Sequence, residues 1–465
     1  MMQRLSPLDA MFLQQDSPTI PRQVASLAIL EPGENPLDYD RLIHVINERI
    51  DLVPRYRQVP KSVPGALGTP VWVDDENFDI SLHVRRSALP RPGSVDSLHE
   101  LVGRLIARRL DLDRPLWELY LIEGLENGGV ALLFKAHQTL VDGSVTVDLA
   151  QVLLEETAHD RDIPHEDWNP RSEPNSIELL TGTLNRNLRH PGEALRAAEL
   201  NLGRIARRLP LVGSDGPPQS ILATELSRHR RFASLAATLQ DFRRVREQHG
   251  GTINDVILAV ITGGIRGWML TRAEPVTAKT SFRAMVPMSV VAEDGLPTSL
   301  GSKVRGHLLS LPVGESNPVV RLHQVSYALK DHRETGSAVA ANKLANLPGF
   351  ATSTFHAVGA RVADAEAGRG HQIVITNVPG PQDPVYMAGE KVSEVYPCIP
   401  LSGHRAVAIG VTSYNSKVFF GIVADREAVP DVDVLAQCIE DALQELVDTV
   451  GGRRAPRGRQ RPARG

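Results

Sequence analysis

The sequence predicts an α/β protein built in two halves, and three observations predict it. Strand-like apolar runs alternate with amphipathic helical stretches on both sides of a polar connector. The chain has 465 residues, and a typical domain size divides a chain of this length into roughly two or three units. At 42% hydrophobic and 23% charged, it can fill large cores, which excludes a disordered chain or a fibre. Cys398 and Cys438 are too few for a disulfide framework or a cysteine metal cluster and fit a reducing compartment. The start, MMQRLSPLDAMFLQQDSP, lacks the basic and apolar regions of a signal peptide. No run of apolar residues reaches the length that spans a bilayer.

The first half, residues 1–156, opens with a strand-like run at 22–31 and an amphipathic stretch at 37–52 that stops before Pro54. Residues 97–110 read as a second helix with Ser97 at its N-cap. Two strands follow, at 119–125 and 130–135, around the turn signal ENGG. The second is apolar through its centre, as a buried strand is. It runs into His137-Gln138-Thr139-Leu140-Val141-Asp142-Gly143, and helical periodicity resumes over 144–156.

Residues 157–225 form the connector. Its first part is polar and proline-containing, and 176–209 read as basic amphipathic helices split at Pro191. The second half, 226–450, begins with a strand and helix in FASLAATLQDFRRVREQHG and continues with a long apolar helix after GGTIND. SFRAMVPMSV, VRGHLLSLPV and HQIVITNV read as strands. AVAIGVTSYNSKVFFGIVAD reads as a hairpin turning at Asn415–Ser416, and 431–449 as a closing helix. The tail, 451–465, has six arginines and no acid, a composition that does not fold alone. It would suit an anionic lipid surface, or serve only as a solubilising end with no partner. The net charge of −4 and the lack of interleaved aromatics argue against nucleic acid as a partner.

The segment 137–143 is the sharpest chemical feature. A loop between a buried strand and a helix can hold a side chain in a crevice. A histidine there suits removal of a proton from an alcohol. Asp142 would fix local geometry, and Gly143 would let a ligand approach the backbone. Asn254 and Asp255 stand at a helix start, where capping explains them as well as ligand contact does. Asn377 ends a strand before the turn residues Pro379-Gly380-Pro381.

The segment 137–143 resembles the HHxxxDG motif of coenzyme A-dependent acyltransferases. The chain is identified as a member of the bacterial wax ester synthase/diacylglycerol acyltransferase family, actinobacterial type. LSPLDAMFL at 5–13, Pro115-Leu116-Trp117, Asn254-Asp255, VPMSV at 286–290, TNVPGP at 376–381 and the terminal FFGIVADREAVPD carry the resemblance in order. It implies two chloramphenicol-acetyltransferase-like domains, each a β-sheet with flanking helices, and an active-site channel at their interface. It implies acyl-CoA as co-substrate, with no bound cofactor and no metal. The acceptor is diacylglycerol or a long-chain alcohol, and the protein is cytoplasmic or peripheral at the membrane or on lipid bodies. It also implies that Asn254, Asp255 and Asn377 border the acyl-CoA site.

The second motif histidine, the family's general base, is Gln138 here. Glutamine carries no titratable group. Three readings follow. His137 takes over as base in a working acyltransferase, or the chain is a catalytically impaired relative that binds acyl-CoA or neutral lipid, or it is an acyltransferase of altered acceptor, such as a glycolipid or polyketide alcohol, in which a different geometry makes Gln138 useful.

Overall fold

The computed structural model describes residues 3–33, 36–66, 68–141, 149–157, 168–181, 220–289, 304–334, 352–365 and 370–450. Asp142, Gly143, most of the basic connector and the arginine tail lie outside the described residues.

Elements follow the sequence pattern closely in the first half. Helix α1 (Pro7–Gln15) is capped by Ser6, with proline at the first helical position. Next come β1 (Gln23–Leu30), α2 (Tyr39–Arg49), β2 (Gln58–Lys61), β3 (Val71–Asp74) and β4 (Val84–Ala88). Helix α3 (Val95–Ala107) is capped by Ser94, not Ser97. The correction is a shift of one turn, since the Ser97 N–H is the donor that Ser94 satisfies (3.3 Å). Strands β5 (Trp117–Glu123) and β6 (Val130–His137) follow. The helix expected over 144–156 is described only at α4 (Leu149–Val152), and Leu154–Glu155 is instead strand β7. There Glu155 meets the buried Arg49 guanidinium at 2.6 Å, a long-range partner that no local window contains.

The second half comprises β8 (Arg230–Thr238), α5 (Leu239–His249), α6 (Ile253–Thr271), β9 (Phe282–Ser289), β10 (Val304–Leu311), α7 (Pro318–Glu334) and α8 (Thr352–Ala365). Then come β11 (Ile373–Pro379), β12 (Tyr386–Met387), β13 (Glu390–Cys398), β14 (Val407–Tyr414), β15 (Lys417–Asp425) and α9 (Val432–Val450). Asn415 and Ser416 both have positive φ, at 44° and 63°, the left-handed pair of a tight hairpin turn. Helix α6 is apolar enough by composition to cross a bilayer, yet it is buried against α9 and the second sheet. It is a core helix of the protein.

Two large sheets organise these elements, beside a two-stranded ribbon of β2 and β3. One runs β4-β5-β6-β1-β13-β12-β7, the other β10-β9-β11-β14-β15-β8. The first sheet draws strands from both expected halves, 1–156 and 226–450. Strands β12 and β13 come from the second half, and β13 pairs antiparallel with β1, Ala25 opposite Cys398. The free edge of β1 needs backbone partners, and an apolar strand more than 350 residues away supplies them.

The sheets touch where β13 crosses the β14–β15 hairpin. Gly410 and Gly421 are cross-strand partners and leave a notch for Pro397. A Cβ on Gly421 would lie 1.9 Å from the Pro397 carbonyl oxygen. That contact involves backbone, which no rotamer change relieves. We expect Gly421→Ala to cost at least about 1–3 kcal/mol, measured as a fall in the urea midpoint at unchanged m-value.

Candidate active site

Strand β6 carries the motif into position. Its register with β1 sets Gln23 opposite His137 and Ser26 opposite Phe134. The Gln138 N–H then donates to the Arg22 carbonyl at 2.8 Å, so the ladder continues one residue past the strand. Side chains alternate faces along a strand. Leu132, Phe134 and Gln138 therefore share one face, and Lys135 and His137 share the other. On the first face, Leu132 and Phe134 line an apolar cavity of about 70 Å³ with Ser26, Val392, Val395 and Tyr414. That face looks toward β13 and β14, between the two sheets.

His137 is buried. Its Nδ1 accepts the Thr139 N–H at 3.1 Å, so in the neutral ring the proton sits on Nε2. Burial and the nearby Arg22, Arg361 and Arg109 guanidinium groups push its pKa down to about 3. The ring is a neutral Nε2–H donor with its one lone pair engaged. With Nδ1 engaged, no free basic nitrogen remains in this arrangement to take a proton, which weighs against His137 as the general base.

Gln138 is fully buried. Its Nε2 donates to Asp364 Oδ2 at 3.4 Å, and its Oε1 has no partner. Asp364 also accepts from Arg22, in an ion pair whose side chains are 9% and 4% exposed. The Gln138 carbonyl accepts from Arg361. The other arm of Arg361 donates to Asp9, which also accepts from the Ser6 hydroxyl at 2.6 Å. The Thr139 hydroxyl donates to the Asp9 carbonyl at 3.2 Å. Segment 5–13, the 137–139 loop and α8 thus meet at one buried clasp.

The tripeptide Pro115-Leu116-Trp117 acts from behind the strand. The Leu116 carbonyl accepts the His137 N–H at 2.9 Å. Trp117 is fully buried, donates to the Tyr56 carbonyl at 2.7 Å and stacks on His83 with centroids 4.7 Å apart. Its role is packing.

The residues expected to border acyl-CoA divide. Asn377 Nδ2 donates to Asn254 Oδ1 at 2.8 Å, which joins the end of β11 to the start of α6. Asp255 is fully buried and closes a capping box with Thr252. This is the capping role that the sequence reading allowed for Asp255. Just before Asn377, the Thr376 hydroxyl is hydrogen-bonded to His356 Nδ1 at 2.7 Å. His356 is on α8, as are Arg361 and Asp364. One helix therefore spans both clusters, separated by roughly 8–12 Å along its axis at 1.5 Å per residue.

Sequence reasoning missed Arg22, His356, Arg361 and Asp364. Each partners a residue that it had singled out or one beside it, but from a segment with no motif of its own. Among the described residues, no group of His, Cys, Asp and Glu gathers as metal ligands.

Comparison with known proteins fits this geometry. Residues 5–257 match the wax ester synthase/diacylglycerol acyltransferase catalytic domain, and 300–447 match the WS/DGAT C-terminal domain. A probable diacylglycerol O-acyltransferase, tgs1, of Mycobacterium tuberculosis is 34% identical, with 98% of each chain covered. The chain belongs to the wax ester synthase/diacylglycerol acyltransferase family. A second relative from that organism, the probable diacylglycerol O-acyltransferase tgs3, is 38% identical over 54% of this chain and 97% of its own. The solved wax ester synthase/diacylglycerol acyltransferase of Marinobacter aquaeolei VT8 superposes with a TM-score of 0.68 at 26% identity, covering 97% of this chain and 100% of that one. A condensation domain of the CDA synthetase shares the fold at TM-score 0.55 and 15% identity. The protein is an acyl-CoA-dependent acyltransferase with the two-domain acetyltransferase-like fold. Membership favours the enzyme over the impaired relative.

The division of labour at the start of α6 is testable. Asp255→Asn should lower stability by about 1 kcal/mol through the weakened cap and leave the KM for palmitoyl-CoA within about twofold. Urea unfolding and steady-state kinetics on the same sample check both halves.

Proposed function

We propose that this acyltransferase moves the acyl group of a fatty acyl-CoA onto diacylglycerol, giving triacylglycerol. Long-chain alcohols serve as second acceptors and give wax esters. The end-to-end match to a diacylglycerol O-acyltransferase carries this reading. The apolar cavity beside β6 supports it. Thr412 and Tyr414 line it, but their hydroxyls are spent on the Val378 and Val392 carbonyls, each at 2.8 Å. A void that offers so little beyond C–H surface favours an alkyl chain. Acyl-CoA enters as co-substrate, Asn254 and Asn377 border its path, and no bound cofactor takes part. Asp142 and Gly143, the last two residues of the motif, belong to this reading as catalytic-loop residues by resemblance alone. The protein works in the cytoplasm, peripherally at a membrane or lipid body, where its acceptor dissolves.

The reaction forms a C–O bond between the acceptor hydroxyl and the thioester carbonyl carbon and breaks the C–S bond. The hydroxyl proton ends on the coenzyme A sulfur. With His137 neutral above about pH 3 and Gln138 unable to titrate, neither motif residue changes charge between pH 5 and 8. We expect kcat/KM for dioleoylglycerol, at saturating palmitoyl-CoA, to stay within about threefold over that range. A rising limb centred between roughly pH 6 and 7, where an unperturbed histidine titrates, would contradict this. Absence of coenzyme A release with both dioleoylglycerol and hexadecanol would contradict the function itself.

A further inference from the structure

The side chain of Gln138 is held by one end only. Its amide nitrogen faces Asp364 Oδ2, and a carboxylate can only accept. The amide therefore has one allowed orientation, with Oε1 turned away from Asp364. Asp364 is itself fixed, by Arg22, and Arg22 by Gln15 Oε1 at 2.9 Å. The Gln138 backbone is tied on both sides, to the Arg22 carbonyl and to Arg361. After all this fixing, Oε1 remains fully buried and unpartnered. A buried carbonyl without a donor costs about 1–3 kcal/mol. Such an atom, held away from Asp364 by the fixed amide nitrogen, is arranged for a donor that arrives with substrate.

We propose that Gln138 Oε1 accepts a hydrogen bond from the hydroxyl of the incoming acceptor, and that the buried Asp364–Arg22 pair is the positioning device that keeps this oxygen free. The inference rests on the acyltransferase reading above. The choice of ligand group follows from chemistry. The thioester carbon, its carbonyl oxygen and its sulfur carry no hydrogen to donate. At the reacting centre, only the acceptor's O–H can satisfy a lone carbonyl oxygen. Gln138 lies on the same strand face as Phe134, about 13 Å along the strand at 3.3 Å per residue. That places the hydroxyl site at one end of the face whose other end borders the alkyl cavity. Gln138 takes no proton at any stage. It orients the nucleophile by proximity, while the proton leaves with the coenzyme A thiol.

Asp364 and Arg22 act through Gln138 and do not touch substrate. Replacing Asp364 with asparagine lets either end of the Gln138 amide face it, so Oε1 loses its fixed direction. Steady-state kinetics with palmitoyl-CoA and dioleoylglycerol would compare wild type, Asp364→Asn, Gln138→Leu and the double variant. We expect Asp364→Asn to raise the KM for dioleoylglycerol roughly tenfold, the value of about one hydrogen bond. The KM for palmitoyl-CoA should stay within about twofold. In the Gln138→Leu background, Asp364→Asn should add no further loss.

Asp364→Asn leaves Arg22 buried without its charge partner and is at risk of misfolding. Arg22→Met/Asp364→Asn removes both charges and tests the same point. An unchanged acceptor KM in either folded variant overturns the proposal. So does an equal rise in both KM values, or a full additive loss on top of Gln138→Leu, since either marks a merely structural pair. A wild type that releases no coenzyme A with either dioleoylglycerol or hexadecanol overturns the functional reading, and this proposal with it. An active wild type with an indifferent Asp364 overturns this proposal alone.

Discussion

The guanidinium of Arg361 holds the site together. One arm reaches Asp9 and the other the Gln138 carbonyl, while its face lies over Phe12 at 5.0 Å. All three partners are buried. A buried charge left without its partner costs about 3–5 kcal/mol, so the N-terminal helix, the motif loop and α8 are obliged to assemble as one unit. The apolar PLDAMFL helix makes sense in this light. Its Asp9 is the counter-charge that lets a guanidinium enter the core, and its Phe12 is the surface on which that guanidinium stacks.

This arrangement explains how the loop keeps its shape with glutamine at the second motif position. Nothing that fixes residue 138 depends on an imidazole. The backbone is held by Arg22 and Arg361, and the neighbouring His137 is held by Thr139 and Leu116. The side chain needs only a donor for Asp364, which a glutamine amide supplies. The first histidine is neutral with its Nδ1 held by the Thr139 N–H, and the second position turns its amide nitrogen to Asp364. A glutamine there gives up general-base catalysis, typically worth about 10²–10⁴-fold. It retains a directed hydrogen-bond acceptor and the positioning that goes with it.

Much of this was present in the sequence. The strand into His137, the hairpin at Asn415–Ser416 and the long helix after Thr252 were all marked by local periodicity and turn chemistry. The sequence pattern failed where a partner came from far along the chain. Strand β13 completes the first sheet because an edge needs hydrogen bonds, and no window around 390–398 reveals which edge. Glu155 reads as part of a helix until Arg49 is beside it. Asp364 and Arg361 sit in RVADAEA, a run with no motif spacing, and their meaning appears only when α8 is laid against the loop. The side on which His137 and Gln138 face was also hidden. It depends on the ladder with β1 continuing through Arg22.

The measurement that tests the account most directly is the activity of His137→Asn with palmitoyl-CoA and dioleoylglycerol. The asparagine carbonyl can accept the Thr139 N–H as Nδ1 does, and it cannot act as a base. If His137 is a structural acceptor for the Thr139 N–H and not the base, turnover should stay within about tenfold of wild type at unchanged stability. A folded variant whose kcat falls by about 10²–10⁴, the range expected on losing a general base, would contradict the account and return the proton transfer to His137.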